Sequence, residues 1–128
     1  MNYTRVYCDG TGESHFEDVS VPVAPAILAP QAPPLHLAAP IRAERLIMGE
    51  IPHPWASSWH PAPQRQFYFQ LSGTLEVKVS DGQVRQFSTG SFILLEDTTG
   101  KGHCTRVLGN AAVKAVFVQL PAPEHAAA

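Results

Sequence analysis

The chain carries six histidines, and these are the first residues to weigh for chemistry. His15, His36, His53 and His125 lie in turn, proline-rich or terminal stretches, where a surface or packed imidazole is the simpler reading. His60 and His103 differ, because they stand at either edge of a strand-rich half. An imidazole changes charge near pH 6.5, so two of them facing one cavity could serve as general base and general acid. Gln66, Tyr68 and Gln70 alternate along one segment and so share a strand face. Gln66 and Tyr68 would add an amide N–H and a phenolic O–H for a carbonyl or carboxylate, with Gln70 further along the pocket. Trp59, with Trp55, would supply an apolar wall. Such a set suits proton transfer on a small polar or carbohydrate-like metabolite: isomerisation, epimerisation, dehydration or cyclisation. It would equally suit binding without turnover.

The elements that must hold these residues follow from the punctuation. Pro22, Pro25, Pro30, Pro33, Pro34 and Pro40 crowd residues 21–40, and Pro52, Pro54, Pro61 and Pro63 bracket a second stretch. Proline fixes φ and removes a donor, so residues 21–40 should form an extended arm or short edge strands. From Gln64 to Leu120 there is no proline. There the turn signals predict strands over Gln66–Ser72, Thr74–Ser80, Gln83–Phe87, Ser91–Glu96, His103–Leu108 and Ala111–Leu120. Asp81-Gly82 predicts a hairpin with a type I′ turn. The glycine-rich loop Thr98–Gly102 lacks the spacing of a phosphate-binding loop and reads as a tight return into the sheet at His103. With no amphipathic helix in the pattern, the fold class is all-β, a sandwich or barrel. Phe92–Leu95 and Ala115–Val118 are apolar on both faces, which calls for cover on both sides. The barrel interior is one cover; the arm, a second subunit, or both is the other. A homodimer is therefore expected.

The surroundings of His60 and His103 resemble the two motifs of the cupin superfamily, of which the first reads G-x5-H-x-H-x3,4-E-x6-G. Gly73 closes that motif here, and counting back places Gln66 at the glutamate position and Ala62 and His60 at the histidine positions. Gly90 stands for the glycine of the second motif, with Ser88 in place of its proline, and His103 stands for its histidine. The resemblance spans roughly residues 58–118 and implies a single cupin-type jelly roll, with residues 1–50 as N-terminal arm and edge strands, 51–120 as core and 121–128 as tail. It also implies a site for a divalent transition metal held by three His and one Glu. Two of those positions are not retained, so a third donor would have to come from Asp97 or Glu96, completing a two-His-one-carboxylate set with His60 and His103.

Composition bounds the rest. The chain has 128 residues, a size for one domain, and 16% are charged. Nine Lys+Arg against eleven Asp+Glu give −2, with no basic block, so nucleic acid is not an expected partner. No apolar run approaches the roughly twenty residues of a membrane span, so no membrane partner is expected either. Cys8 and Cys104 form no CxxC pair, and Met1–Arg5 resembles no signal peptide, so a cytoplasmic location with reduced thiols is expected. Three functions fit: a small-molecule enzyme using His60 and His103, a non-catalytic binding or sensing cupin with a decayed metal site, and a module that mainly supports association.

Overall fold

In the computed structural model, which describes residues 1–122, eleven strands account for nearly all the regular structure. They are β1 (Asn2–Cys8), β2 (Ser14–Ser20), β3 (Ala24–Ala26), β4 (Leu35–Leu37), β5 (Arg45–Ile51), β6 (Gln66–Ser72), β7 (Thr74–Val79), β8 (Val84–Phe87), β9 (Phe92–Leu95), β10 (His103–Leu108) and β11 (Val113–Gln119). His125 and most of the expected tail lie outside the described residues. The six strands expected in the proline-free half are β6 to β11, in those places. Among the described residues there is no helix long and apolar enough to cross a membrane.

Two sheets face each other as a jelly-roll sandwich. The larger runs in the order β2-β1-β9-β6-β11-β5, and the smaller in the order β10-β7-β8. Residues 56–60 extend the smaller sheet through isolated bridges Ala56–Arg106 and His60–His103. Period-two alternation decides what enters the space between the sheets. Val6, Phe16, Tyr68, Leu75, Val77, Val79, Phe87, Ile93, Val107, Val113 and Ala115 form one core cluster there. Each Val, Leu, Ile or Phe among them, fully buried, contributes roughly 1.5–3 kcal/mol of transfer free energy.

Of residues 1–50, expected as arm and edge strands, β2 and β5 form the two edges of the large sheet and residues 21–44 carry the small β3–β4 hairpin. Two features depart from expectation. β1 lies inside the large sheet, parallel to β9. The second is the β7–β8 turn, which is not type I′. Gly82 has φ +98° while Asp81 has negative φ. Val79 N–H bonds to Gln83 carbonyl and Gly82 N–H to Val79 carbonyl, and the Asp81 carboxylate accepts from Gln83 N–H. This is a longer loop with a single left-handed glycine, the next most common hairpin solution.

Candidate functional site

A cavity of about 120 Å³ opens between the sheets. The large sheet contributes Val6, Ile93, Leu95, Gln66, Tyr68 and Phe117 to its lining; the small sheet and its extension contribute Leu75, Val77, His103, Thr105, Trp55 and His60. Its polar lining groups are His60, His103, Gln66, Thr105 and the Tyr68 hydroxyl, and the remainder is aliphatic or aromatic.

His103 is the buried member of the pair. Its Nδ1 lies 2.5 Å from Oδ2 of Asp97, which is fully buried. With Nδ1 held there, Nε2 is the nitrogen left for a guest. An ionised Asp97 takes the Nδ1 proton as a hydrogen bond and so leaves a lone pair on Nε2, the form a general base requires. The other Asp97 oxygen, Oδ1, is buried with no partner. The Asp97 backbone is pinned because its carbonyl accepts from Ala62 N–H at 2.9 Å. His60 sits half-buried opposite, its ring centroid 5.0 Å from that of His103 and its Nδ1 2.8 Å from the Ser58 carbonyl. Mutual backbone bonds of 3.0 Å between His60 and His103 fix that approach. Gly102, with φ +74°, passes directly against His60, and Ser14 Oγ donates to the Gly102 carbonyl at 2.6 Å. The glycine-rich loop thus serves to return the chain at His103.

Gln66 is buried on the cavity wall, and its amide makes no side-chain hydrogen bond among the described residues, so it remains available to a guest. Tyr68 also lines the cavity, but its hydroxyl donates to Gln70 Oε1 at 3.1 Å, so its oxygen can only accept from a guest. Burial pushes its phenol far above the ordinary range, which removes it as a proton-transfer group. Thr105 was not singled out from sequence; it faces the cavity because it lies two residues beyond His103 on the same strand face.

Three expected site residues lie elsewhere. Gln70 is buried but spends its amide on the carbonyls of Gly73 and Phe87, locking the β6–β7 corner, and it does not line the cavity. Trp59 points outward beside Ser80 and Lys101, and the tryptophan at the cavity is Trp55. Glu96 faces the opposite side of the strand end from Asp97, held at 2.6 Å by both Arg5 and Arg65. Burial works against its charge, but the two guanidinium hydrogen bonds outweigh that and hold its carboxyl below the ordinary value. Arg106 is likewise engaged by Glu76, so neither Arg65 nor Arg106 is free for a substrate carboxylate.

This geometry does not fit the metal that the cupin resemblance implies. Glu96 is turned away, and Asp97 sits at the Nδ1 edge of His103, on the far side of the ring from the nitrogen that would bind an ion. Ala62 has no donor and Gln66 only a neutral amide. Among the described residues no group of three His, Cys, Asp or Glu side chains converges as a metal site needs.

No family model and no curated protein matches the chain. Solved structures do resemble it in shape. A conserved protein of unknown function from Streptococcus pyogenes is 15% identical with a TM-score of 0.48, covering 67% of this chain and 72% of its own. Protein NMB1881 from Neisseria meningitidis is 14% identical with a TM-score of 0.45, covering 80% and 89%. The cupin domain of Cnp3 from Schizosaccharomyces pombe is 11% identical with a TM-score of 0.48, covering 93% and 83%. By its own strand order, and by the placement of His60, Gly73, Gly90 and His103, the chain has a cupin-type jelly-roll fold.

Proposed function

We propose that this protein is a metal-independent acid–base enzyme that isomerises a compact, largely apolar carbonyl compound. The observation that carries this reading is the buried Asp97–His103 pair facing His60 across one small cavity. His103 Nε2 takes a proton from the carbon next to the carbonyl. The C–H electron pair moves into a new C=C bond and charge gathers on the carbonyl oxygen, where the Gln66 amide donates a hydrogen bond. In a β,γ-unsaturated ketone this gives a dienolate; protonated His60 then delivers its proton to the γ carbon, the C=O re-forms, and the C=C has moved into conjugation with it. Solvent at the mouth returns the proton from His103 to His60, so no co-reactant is consumed. A cavity of about 120 Å³ is near the size that takes a six-membered ring. The lining is mostly aliphatic and aromatic with few polar groups, which favours a single carbonyl over the many hydroxyls of a sugar.

The test needs no knowledge of the natural substrate. Cyclohexanone in D₂O is followed by ¹H NMR for loss of its α protons. The wild type should accelerate this exchange, and His103→Asn should lower the rate about 10²–10⁴-fold. Equal rates for the two proteins overturn the catalytic reading. A second reading, a cupin that binds without turnover, is favoured by the apolar lining, which supplies affinity without chemistry. A raised Tm with cyclohexanone but no exchange would select it.

A further inference from the structure

Three charged residues form an ion cluster at one end of the large sheet, on the face away from the cavity. Glu96 follows β9, the strand that lies between β1 and β6. Arg5 of β1 and Arg65, directly before β6, each grip one of its carboxylate oxygens through Nε at 2.6 Å. All three side chains are half-buried. Arg5 is itself held, 4.3 Å over the Tyr7 ring and 3.6 Å from Glu17. The Arg65 carbonyl accepts from Leu120 N–H at 3.0 Å. The residues next in sequence are Val6, Gln66 and Asp97. Val6 and Gln66 line the cavity, and Asp97 holds His103. Successive side chains of an extended chain leave on opposite faces, so holding residues 5, 65 and 96 outward turns 6, 66 and 97 inward.

Asp97 has little else to aim it. It lies beyond the end of β9, outside the strand ladder. Its carboxylate makes one hydrogen bond, with Nδ1 of His103, while Oδ1 is buried without a partner. Three backbone bonds fix the path of the chain there: Glu96 N–H to the Val6 carbonyl, Thr98 N–H to the Glu96 carbonyl and Ala62 N–H to the Asp97 carbonyl. The two charge-assisted bonds on the Glu96 side chain are shorter and stronger than these, and they decide which way residue 96 faces. We propose that Glu96, clamped by Arg5 and Arg65, is a positioning residue that aims Asp97 at His103. This role rests on the reading of His103 as the base and deepens it. The carboxylate that sets the imidazole tautomer on the cavity side is set in turn by charges on the opposite face of the sheet.

Glu96→Gln keeps the length of the side chain but leaves one accepting oxygen, so one guanidinium is released. Long-range ¹H–¹⁵N NMR should show His103 of the wild type as the Nδ1–H tautomer alone, and Glu96→Gln should show the Nε2–H form as well. The kcat for α-proton exchange of cyclohexanone should fall at least about tenfold, with KM within about twofold of wild type. In an Asp97→Asn background the same substitution should change the rate by less than about twofold, because Glu96 acts through Asp97. A lowered Tm with the wild-type tautomer and kcat overturns the role, since the cluster then only staples three strands. A double variant slower than Asp97→Asn by the full factor of the single variant also overturns it. Should Glu96→Gln not fold, Arg65→Met removes one arm of the clamp and should give the same mixed tautomer, with Arg65→Lys restoring the wild-type signal. An unchanged signal in Arg65→Met overturns the role. A wild type that exchanges no protons defeats the enzyme reading by itself, and the tautomer comparison still decides what Glu96 does.

Discussion

A methyl group on Gly102 would lie 2.1 Å from the carbonyl oxygen of His60, inside any permitted contact. The bare α-carbon at 102 is therefore what allows residues 60 and 103 to exchange backbone hydrogen bonds and bring their rings together. Gly102→Ala adds that methyl at a φ of +74°, where side chains are also disfavoured. The expected cost is about 3 kcal/mol or more, read as the loss of unfolding free energy in urea. The contrasting substitution Gly82→Ala meets no atom within 4 Å, so its cost should be only that of the backbone conformation.

Replacing Asp97 by Asn keeps the shape of the side chain and removes the charge that holds the His103 proton on Nδ1. The variant should fold, with Tm within about 5 °C of wild type, and lose about 10²-fold or more in cyclohexanone exchange. An active Asp97→Asn variant would show that the carboxylate is a packing group and that His103 needs no orienting partner.

A second imidazole cluster makes stability depend on pH. His15 Nε2 lies 2.6 Å from Asp9 and its Nδ1 2.8 Å from Asp81, joining the β1–β2 turn to the β7–β8 turn. Glu13, itself paired with Lys101 and Ser80, adds negative charge beside them. The hydrogen bonds to Asp9 and then Asp81 raise the His15 pKa above its ordinary 6.5. A raised folded value means the stabilisation is fully present below 6.5 and disappears as pH climbs through the folded value. His15→Gln should therefore lower Tm most near pH ~5.5 and progressively less toward pH ~8.5. A difference that grows with pH would contradict the assignment.

Metal removal should be without effect. Protein prepared without an affinity metal should hold less than about a tenth of an equivalent of any first-row ion, and dialysis against a chelator should leave Tm and exchange rate unchanged. A loss of activity restored by one divalent ion would show that the cavity gathers donors beyond His60 and His103.

Much of this was legible in the chain, and the misses have physical causes. Turn residues marked the strands of the proline-free half because local backbone geometry dictates them. β1 and β5 escaped because their pairing is remote: β1 runs parallel to β9, and β5 lies against β11. Glu96 and Asp97 could not be told apart since the strand before them, Phe92-Ile93-Leu94-Leu95, is apolar at every position and hides its parity. In the fold Ile93 and Leu95 face the cavity and Asp97 follows them, while Glu96 goes with Leu94 to the other side. Trp59 precedes His60 directly, so strand alternation turns it outward when His60 faces in. Trp55 joins His60 on the inward face because the register slips by one residue between the Ala56–Arg106 and His60–His103 bridges, and no sequence pattern announces that slip.

Long-range ¹H–¹⁵N NMR of the histidine rings, recorded with and without cyclohexanone, tests the site itself. His103 should appear as the Nδ1–H tautomer with an unprotonated Nε2, and the ring nitrogens of both His103 and His60 should shift as cyclohexanone is added. A proton on His103 Nε2, or rings that do not respond to the ketone, would contradict a base aimed into a shared cavity.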